Sequence, residues 1–549
     1  MLYQKIAVIL LSAYEIWRNG LFLEDWNYFS TMEIDCVAFF AAPIYMVTNN
    51  LSLSLASVHA VFYLIVVWIL HDIAKNLRAS ISQFLLSVLL LFTPYSVGQV
   101  EWANMLFVGV AQYEFRVIVL LMLLNLILMS LRKETSRRKF VLNLLVFCAV
   151  NFWTSLSTGN YVLLMIVSPF VLWALIRILW GQQFTLFSRT NLVIAISCAV
   201  SFSGWILHNL FAGASARNNM PLIAAGNLFD NIQDAVEGVF LLFDGLPLND
   251  NVMILSGDGI AVLLGFLFLM ICAALVFAEW RYGRNKSPLF DIFVTFAFVN
   301  LTVLCLTSTD YGAQVFEYRY HILWCVLLLI LVACIIMHKN IYHNLWIRNC
   351  VLYGTIVLVL LLNIKGARHL FQLDTAKFSK ANSILETAQE QGADGIYVYD
   401  DTSGISHIIR TLDLNVCSLG VTYTDEICTV SCGDFYDYYR DNYYGGSGRN
   451  LLVSSQENFD SLPIYIKGNY TLLEELGDGS NIYYAEKNPW DGMTGLPETV
   501  GKTYADLPYS NGCYWNGTYD ETGTPIGNET EEDGYILNGP YTSTAGGIF

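Results

Sequence analysis

Apolar runs of about 18 residues or more recur from the N-terminus to position 366, and each is long enough to cross a hydrocarbon core ~30 Å thick. Backbone polar groups inside hydrocarbon have no water to bond, so runs of this length must fold as helices. Eleven runs fit: 6–23, 55–74, 81–97, 116–131, 140–155, 160–178, 191–211, 259–279, 288–308, 320–337 and 349–366. Only 14% of the 549 residues are charged, against about a quarter in soluble domains. The first run is the weakest, because it contains Glu15 and Arg18. No small-residue cleavage site follows it, so it reads as a retained helix rather than a removed signal peptide.

The charges between the runs alternate. Lys5, Lys75, Arg78, the RKETSRRK segment at 132–139, Arg177, Arg189, the RYGRNK segment at 281–286, Lys339 and Arg348 give 15 basic residues on one side. The other side has five: Arg18, Arg116, Arg217, Arg319 and Lys365. Basic loops stay in the cytoplasm. An odd number of spans then puts the rest of the chain outside. Residues 34–50 are apolar, but a crossing there would break the alternation. They are expected to lie on or dip into the outer surface without spanning. A second external stretch, 212–258, contains DNIQDAVEGVFLLFDG, whose mixture of acidic and apolar residues suggests an interfacial helix.

The expected fold is therefore a membrane α-helical bundle over 1–366 with external juxtamembrane helices. An external α/β domain over 367–490 and a β-rich stretch over 491–549 follow. KANSILETAQEQGADGIYVYDD reads as a helix, a glycine turn and a buried strand. GISHIIRTLD reads as a second helix, and RNLLVSS and NIYYAEK as further strands. Residues 1–366 hold 20 Lys and Arg against 19 Asp and Glu, whereas the remainder holds 9 against 27. An acidic external domain of this kind is a poor nucleic-acid binder. Eight of the 12 cysteines lie in or beside the membrane runs and read as small buried apolar residues. Of the other four, Cys428 and Cys432 are the nearest candidates for a disulfide.

No phosphate-binding loop, dinucleotide fingerprint, HExxH or GxSxG is present, nor a DxD pair for a nucleotide sugar. Any chemistry belongs at the external helix ends. The sharpest candidate is LFLEDWNYF at 21–29, where Glu24 and Asp25 could act as a general base or bind a divalent metal ion. The alternative there is a solvated helix end in an aromatic belt. Glu101, Glu114, Arg116, Glu317 and Arg319 lie near other external helix ends, where charge is costly and often functional. Arginine can hold a lipid phosphate with a planar fork of donors. The structural alternative is a local salt bridge, Glu114 with Arg116 or Glu317 with Arg319. His59, His208 and His321 read as packed or capping side chains.

This layout resembles the GT-C class of membrane glycosyltransferases, whose members place an acidic motif just after the first span and often carry an external C-terminal domain. Glu24 and Asp25 stand where that class keeps its catalytic carboxylate, and YRYHILW at 318–324 is similar to the Arg-Tyr that opens a late span in many bacterial members. DGYILNGPYTSTAGG at 533–547 resembles part of a β-sandwich carbohydrate-binding module, incomplete here because the chain stops at Phe549. The resemblance implies an inverting enzyme in a bacterial cell membrane. It would move a sugar from a polyprenyl-phosphate donor to an envelope glycan. Asp25 or Glu24 would be the base, and Arg319, Arg116, Glu317, Glu101 and Glu114 would surround the donor phosphate. No cofactor is required, although a divalent ion could assist. One rival is a polysaccharide polymerase or ligase, which would use arginines in a late external loop; residues 212–258 have only Arg217. The others are a non-catalytic scaffold and a transporter, but the matched, broken spans of a transporter are not found.

Overall fold

The computed structural model describes residues 2–21, 31–97, 102–132, 136–180, 188–211, 222–247, 252–283, 288–307, 318–337, 344–371, 375–401, 404–413, 416–424, 427–431, 448–462 and 464–487, with short strands at 513–515, 518–519 and 525–526. Glu24, Asp25, Glu101, Glu317, Cys432 and the 533–547 motif lie outside the described residues, as does the side chain of Cys428.

In chain order the helices are α1 Leu2–Asn19, α2 Val37–Thr48, α3 Leu51–Leu77, α4 Ile81–Leu91, α5 Trp102–Leu106, α6 Glu114–Leu131, α7 Arg137–Thr158, a π-helix Val162–Val167, α8 Ser168–Leu179, α9 Arg189–Phe211, α10 Leu228–Leu242, α11 Gly257–Tyr282, α12 Pro288–Leu306, α13 Ile322–Ile336, α14 Leu345–Phe371, α15 Thr375–Gln391 and α16 Ile405–Leu412. Among the described residues, nine helices are long and apolar enough to cross a membrane: Leu51–Leu77, Glu114–Leu131, Arg137–Thr158, Val162–Leu179, Arg189–Leu210, Gly257–Tyr282, Pro288–Leu306, Arg319–Ile336 and Leu345–Arg368. Each coincides with one expected span.

The other two expected spans take different forms. The 81–97 run yields only the 11-residue α4, which ends at Phe92. Pro94 follows; it has no N–H to continue the ladder and disfavours helix at Thr93. At 1.5 Å per residue, α4 covers about 16 Å, roughly half a hydrocarbon core. The first run forms α1, but residues 1–29 group with the C-terminal domain rather than with the bundle. There α1 packs against α16 and buries Ile9, Leu10, Leu11, Ala13 and Ile16. The apolar 34–50 stretch forms α2, 12 residues with Pro43 inside, about 18 Å long and too short to span.

The chain packs as two units: residues 30–41 with 52–373, and residues 1–29 with 42–51 and 374–549. At the centre of the first, α13 and the part of α6 beyond its first turn are apolar nearly all round, Asn125 apart, and enclosed by other helices, as such helices must be. The chain path sets the two ends of this bundle. The C-termini of α3 and α6 and the N-terminus of α7 share one end, where Lys139 meets Asp72 at 2.9 Å and Asn76 donates to Asn125 at 2.7 Å. The basic residues Lys75, Arg78, Arg132 and Arg137 belong to this end. Helices α7 and α9 touch closely through small and polar residues. Asn151 bonds the Ser197 carbonyl and accepts from Ser201, at 3.3 and 3.0 Å.

In the second unit, α15 turns Ala381, Ile384, Leu385 and Ala388 inward at helical spacing. They cover a seven-stranded sheet ordered β5-β6-β4-β1-β2-β3-β7, from β1 Gly395–Tyr399, β2 Cys417–Thr424, β3 Ile427–Ser431, β4 Asn450–Ser455, β5 Thr471–Glu475, β6 Ser480–Ala485 and β7 Cys513–Trp515. Central β1 is parallel to β2 and β4 and wholly buried, as parallel strands are; its neighbours outward pair antiparallel. The two expected helices and three expected strands are all present, while β2, β3 and β5 carried no signal that was read. Cys417 is buried on β2.

Gly204 on α9 has a packing reason to be glycine. A Cβ there would sit 2.6 Å from Ser155 Cβ and 2.9 Å from the Phe152 carbonyl on α7. Gly204→Ala is therefore expected to destabilise by about 1–3 kcal/mol through overpacking. Gly354→Ala on α14 meets nothing within 4 Å and should be neutral or stabilising by up to ~1 kcal/mol. Thermal unfolding of the two variants in detergent checks the contrast; equal effects would remove the packing argument.

Candidate functional site

Helix α6 opens with Glu114-Phe115-Arg116, and both charged side chains are buried. Residues two apart on a helix point about 200° from each other and cannot pair. Each finds a partner elsewhere, so the local Glu114–Arg116 salt bridge does not form.

Arg116 is held by the segment just before α2. Its Nε donates to Asp35 Oδ2 at 3.1 Å, and its terminal nitrogen lies 3.8 Å from Glu33 Oε2. Its guanidinium also sits by the rings of Tyr113 and Tyr161, at 4.9 and 5.1 Å, two cation–π contacts from neighbouring rings. The Ser157 hydroxyl, at the end of α7, donates to Asp35 Oδ1 at 2.6 Å. The Trp153 indole donates to the Ile34 carbonyl at 2.9 Å, and Met32 N–H to the Ser157 carbonyl at 2.8 Å. Residues 32–35 are thus sewn to α7 as well as to α6. Asp35 is inaccessible to solvent. Burial is the largest influence on its carboxyl and raises it above the ordinary range, while Arg116 and Ser157 pull it back.

Glu33 differs from Asp35. Its side chain is 18% exposed. One oxygen, Oε1, accepts from Thr31 Oγ at 2.6 Å and from Gln112 Nε2 at 2.8 Å. The other, Oε2, is itself buried and has no hydrogen-bond donor among the described residues, only the loose contact with Arg116. Its backbone is left-handed, with φ +53°, and so is that of Ala111 beside Gln112, with φ +37°. For non-glycine residues that conformation stores strain and clusters at functional sites. Directly after Tyr161 the chain forms the π-helix Val162–Val167, another irregularity enriched at such sites.

Glu114 turns the other way. Its Oε2 lies 2.8 Å from His59 Nδ1, and His59 Nε2 lies 3.1 Å from the Gly109 carbonyl. His59 is thus a bonded core histidine, as expected; His208 likewise bonds the Leu156 carbonyl at 2.8 Å, and His321 accepts from the Trp324 indole at 3.0 Å. Arg319 is half-buried in a 3-10 turn, Tyr318–His321, that opens α13, with its guanidinium 5.3 Å from the Tyr320 ring. Tyr161 is close enough to interact electrostatically with Tyr113, Arg116 and Tyr320. Two of the expected phosphate ligands therefore share one neighbourhood, with Arg116 already paired within it. No three His, Cys, Asp or Glu side chains converge on a metal position among the described residues.

Sequence reasoning missed Asp35, Glu33 and Ser157. A signal was present: Asp35, two residues after Glu33, opens the apolar run DCVAFFAAP, and a charge in such a place needs a partner.

Truncating one partner of a buried ion pair costs about 3–5 kcal/mol. Asp35→Asn and Arg116→Ala should each lower stability by that order. The double variant should cost clearly less than the two added together, as coupled neighbours do. A double-mutant cycle read by unfolding in detergent checks this; additive losses would show that the pair is not coupled.

Compared with protein-family models, curated proteins and solved structures, the chain matches none.

Proposed function

We propose that this chain is a membrane glycosyltransferase that moves a sugar from a polyprenyl-phosphate donor to a hydroxyl of an envelope glycan on the outer face of a bacterial membrane. The observation that carries the reading is the state of Glu33. It is a carboxylate with one oxygen held by Thr31 and Gln112, and the other close to a guanidinium but without a donor among the described residues. A carboxylate fixed in this way can accept the proton of an acceptor hydroxyl. In that step the acceptor oxygen bonds the anomeric carbon, the bond from that carbon to the phosphate oxygen breaks, and its electron pair leaves with the lipid phosphate. Arg319 would hold the phosphate. Asp25 and Glu24 are the competing candidates for the base.

The bundle's polarity supports an outward-facing site. The Glu33–Asp35–Arg116 cluster belongs to the end opposite Lys75, Arg78, Arg132 and Arg137, and basic ends face the cytoplasm. In this reading the C-terminal domain is outside; the charge pattern puts the N-terminus in the cytoplasm, but α1 packs against α16 of the C-terminal domain and so lies on the outer side with it. A second reading, a non-catalytic envelope scaffold, is favoured by the complete burial of Asp35, since a closed ion pair stabilises without doing chemistry.

The test is sugar transfer from a panel of polyprenyl-phosphate sugars by purified protein, normalised to folded protein. If Glu33 is the base, Glu33→Gln should lower turnover by on the order of 10²–10⁴ with little change in unfolding temperature. Asp25→Asn should do so instead if Asp25 is the base. Arg319→Ala should mainly raise the KM for donor. Full activity in all three variants would sink the assignment of roles, and no turnover by the unmodified protein with any donor would leave the scaffold reading.

Topology is checked separately. An epitope inserted at Gly477, in the turn between β5 and β6, should be reached by antibody on intact cells. One at Ser136, beside α7, should be reached only after permeabilisation. The reverse pattern would invert the map and refute an outer-face site.

A further inference from the structure

Helix α10, LFDNIQDAVEGVFLL, divides into three sectors when its residues are placed at about 100° steps. Ala235, Gly238 and Leu242 are buried and span about 60° of the circumference. Asp230, Gln233, Asp234 and Glu237 fill a second sector about 100° wide, with Gln233 donating to Glu237 at 2.9 Å. Between these lie Phe229, Ile232 and Val236, which are 81%, 39% and 53% exposed. An isolated exposed apolar residue means little, but three in register on one sector, beside one that is polar except for the half-buried Leu241, are a face without a partner among the described residues.

The depth of α10 follows from what holds it. Asn231 Nδ2 reaches the carbonyls of Leu304, Cys305 and Thr307 at 3.2, 3.2 and 3.0 Å. These are terminal carbonyls of α12, a helix apolar enough to span, whose last turn has no intrahelical donors. Ile223 N–H adds a bond to the Leu306 carbonyl at 3.1 Å. Helix α10 is thereby clamped to the level at which a spanning helix ends, where hydrocarbon meets water. At the same end of the bundle, just ahead of α11, the run Met253–Ile254–Leu255 is also exposed. The exposed apolar sector of α10 thus continues the lipid-facing surface of the spans. Helix α10 carries no Lys or Arg, so attraction to anionic headgroups cannot hold it there; the spans and Asn231 must.

We propose that α10 lies in the plane of the membrane interface. Phe229, Ile232 and Val236 dip into the acyl-chain boundary, and Asp230, Asp234 and Glu237 face water. The occupant of the exposed apolar sector is lipid hydrocarbon.

The test places the photoreactive amino acid p-benzoylphenylalanine singly at 229, 232, 236, 230, 233 and 237 of the full-length protein in phospholipid vesicles. This leaves the native cysteines untouched. Only protein that elutes as one folded species by size exclusion is counted, so failure of one variant leaves the others to decide. Phospholipid adducts, found by mass spectrometry, should be several-fold more abundant at 229, 232 and 236 than at 230, 233 and 237. Equal adducts in both sectors would overturn the proposal. So would cross-linked dimers from the apolar sector, which would mean that a second copy covers it, or intrachain cross-links, which would mean that another part of this chain does.

Discussion

A guanidinium and a carboxylate on a helix enclosed by other helices have to be neutralised where they stand. Leaving a charge buried and unpaired costs several kcal/mol, comparable with the whole stability of many domains. Helix α6 carries both charges within its first turn, on opposite sides. Arg116 therefore recruits residues 33–35 and the end of α7, while Glu114 recruits His59 from α3. Four segments distant in sequence are fixed at one end of the bundle because two side chains on a single helix cannot satisfy each other. The turn leading into α6 is bound in as well. Its Gly109 carbonyl faces His59 and its Gln112 holds Glu33.

The spanning helices were legible in the sequence because hydrocarbon imposes length and apolarity on every segment independently. Nine of eleven runs became long apolar helices for that reason. The two departures have local and non-local causes respectively. Pro94 shortens the 81–97 run, a cause visible in the sequence. The fate of α1 depends on α16, nearly 400 residues later, and only tertiary contact reveals it. The strands β1, β4 and β6 declared themselves as short buried apolar runs. The β2–β3 hairpin, CSLGVTYTDEICTVS, mixes polar and apolar residues without clean alternation and did not. The site was harder again. Arg116 and Glu114 were singled out as costly charges, but their partners could not be chosen, since nothing in the sequence links position 35 to 116 or 59 to 114. Adjacency suggested the Glu114–Arg116 pair, and helical geometry rules it out.

Much of the irregular backbone of the bundle gathers at the same place, although Arg78 and Asp244 are left-handed elsewhere in it. Glu33 and Ala111 are left-handed without being glycine, Gly109 and Gly159 take positive φ, and the π-helix begins one residue after Tyr161. Each strained residue costs on the order of 1–3 kcal/mol and survives only where its surroundings over-determine it. Here the surroundings do. Thr31 and Gln112 hold the Glu33 carboxylate, and Val37 N–H bonds the Val110 carbonyl at 3.1 Å next to Ala111. At Gly159 a Cβ would stand 3.0 Å from the His208 ring, so glycine serves both the turn and the close approach. Elsewhere the bundle relies on ordinary helix packing through small residues, as Gly204 does against Ser155.

The charges in this cluster divide the work of any reaction run there. With both carboxylates ionised, Glu33, Asp35 and Arg116 sum to one negative charge, which would repel a phosphate rather than attract it. Arg116 is already committed through its Nε to Asp35 and through its guanidinium to the Tyr113 and Tyr161 rings. Freeing it for a lipid phosphate would leave Asp35 buried without its cation, at a cost that one phosphate contact could not offset. In the proposed reading the cation for a donor phosphate would then come from another element, such as Arg319 in the turn that opens α13. Arg116 and Asp35 act as the fixed frame. Glu33 hangs from that frame with one oxygen tied and the other without a donor among the described residues. A group positioned by its neighbours but not saturated by them is what acid–base chemistry needs, because a fully satisfied carboxylate would have to break a bond before it could take a proton.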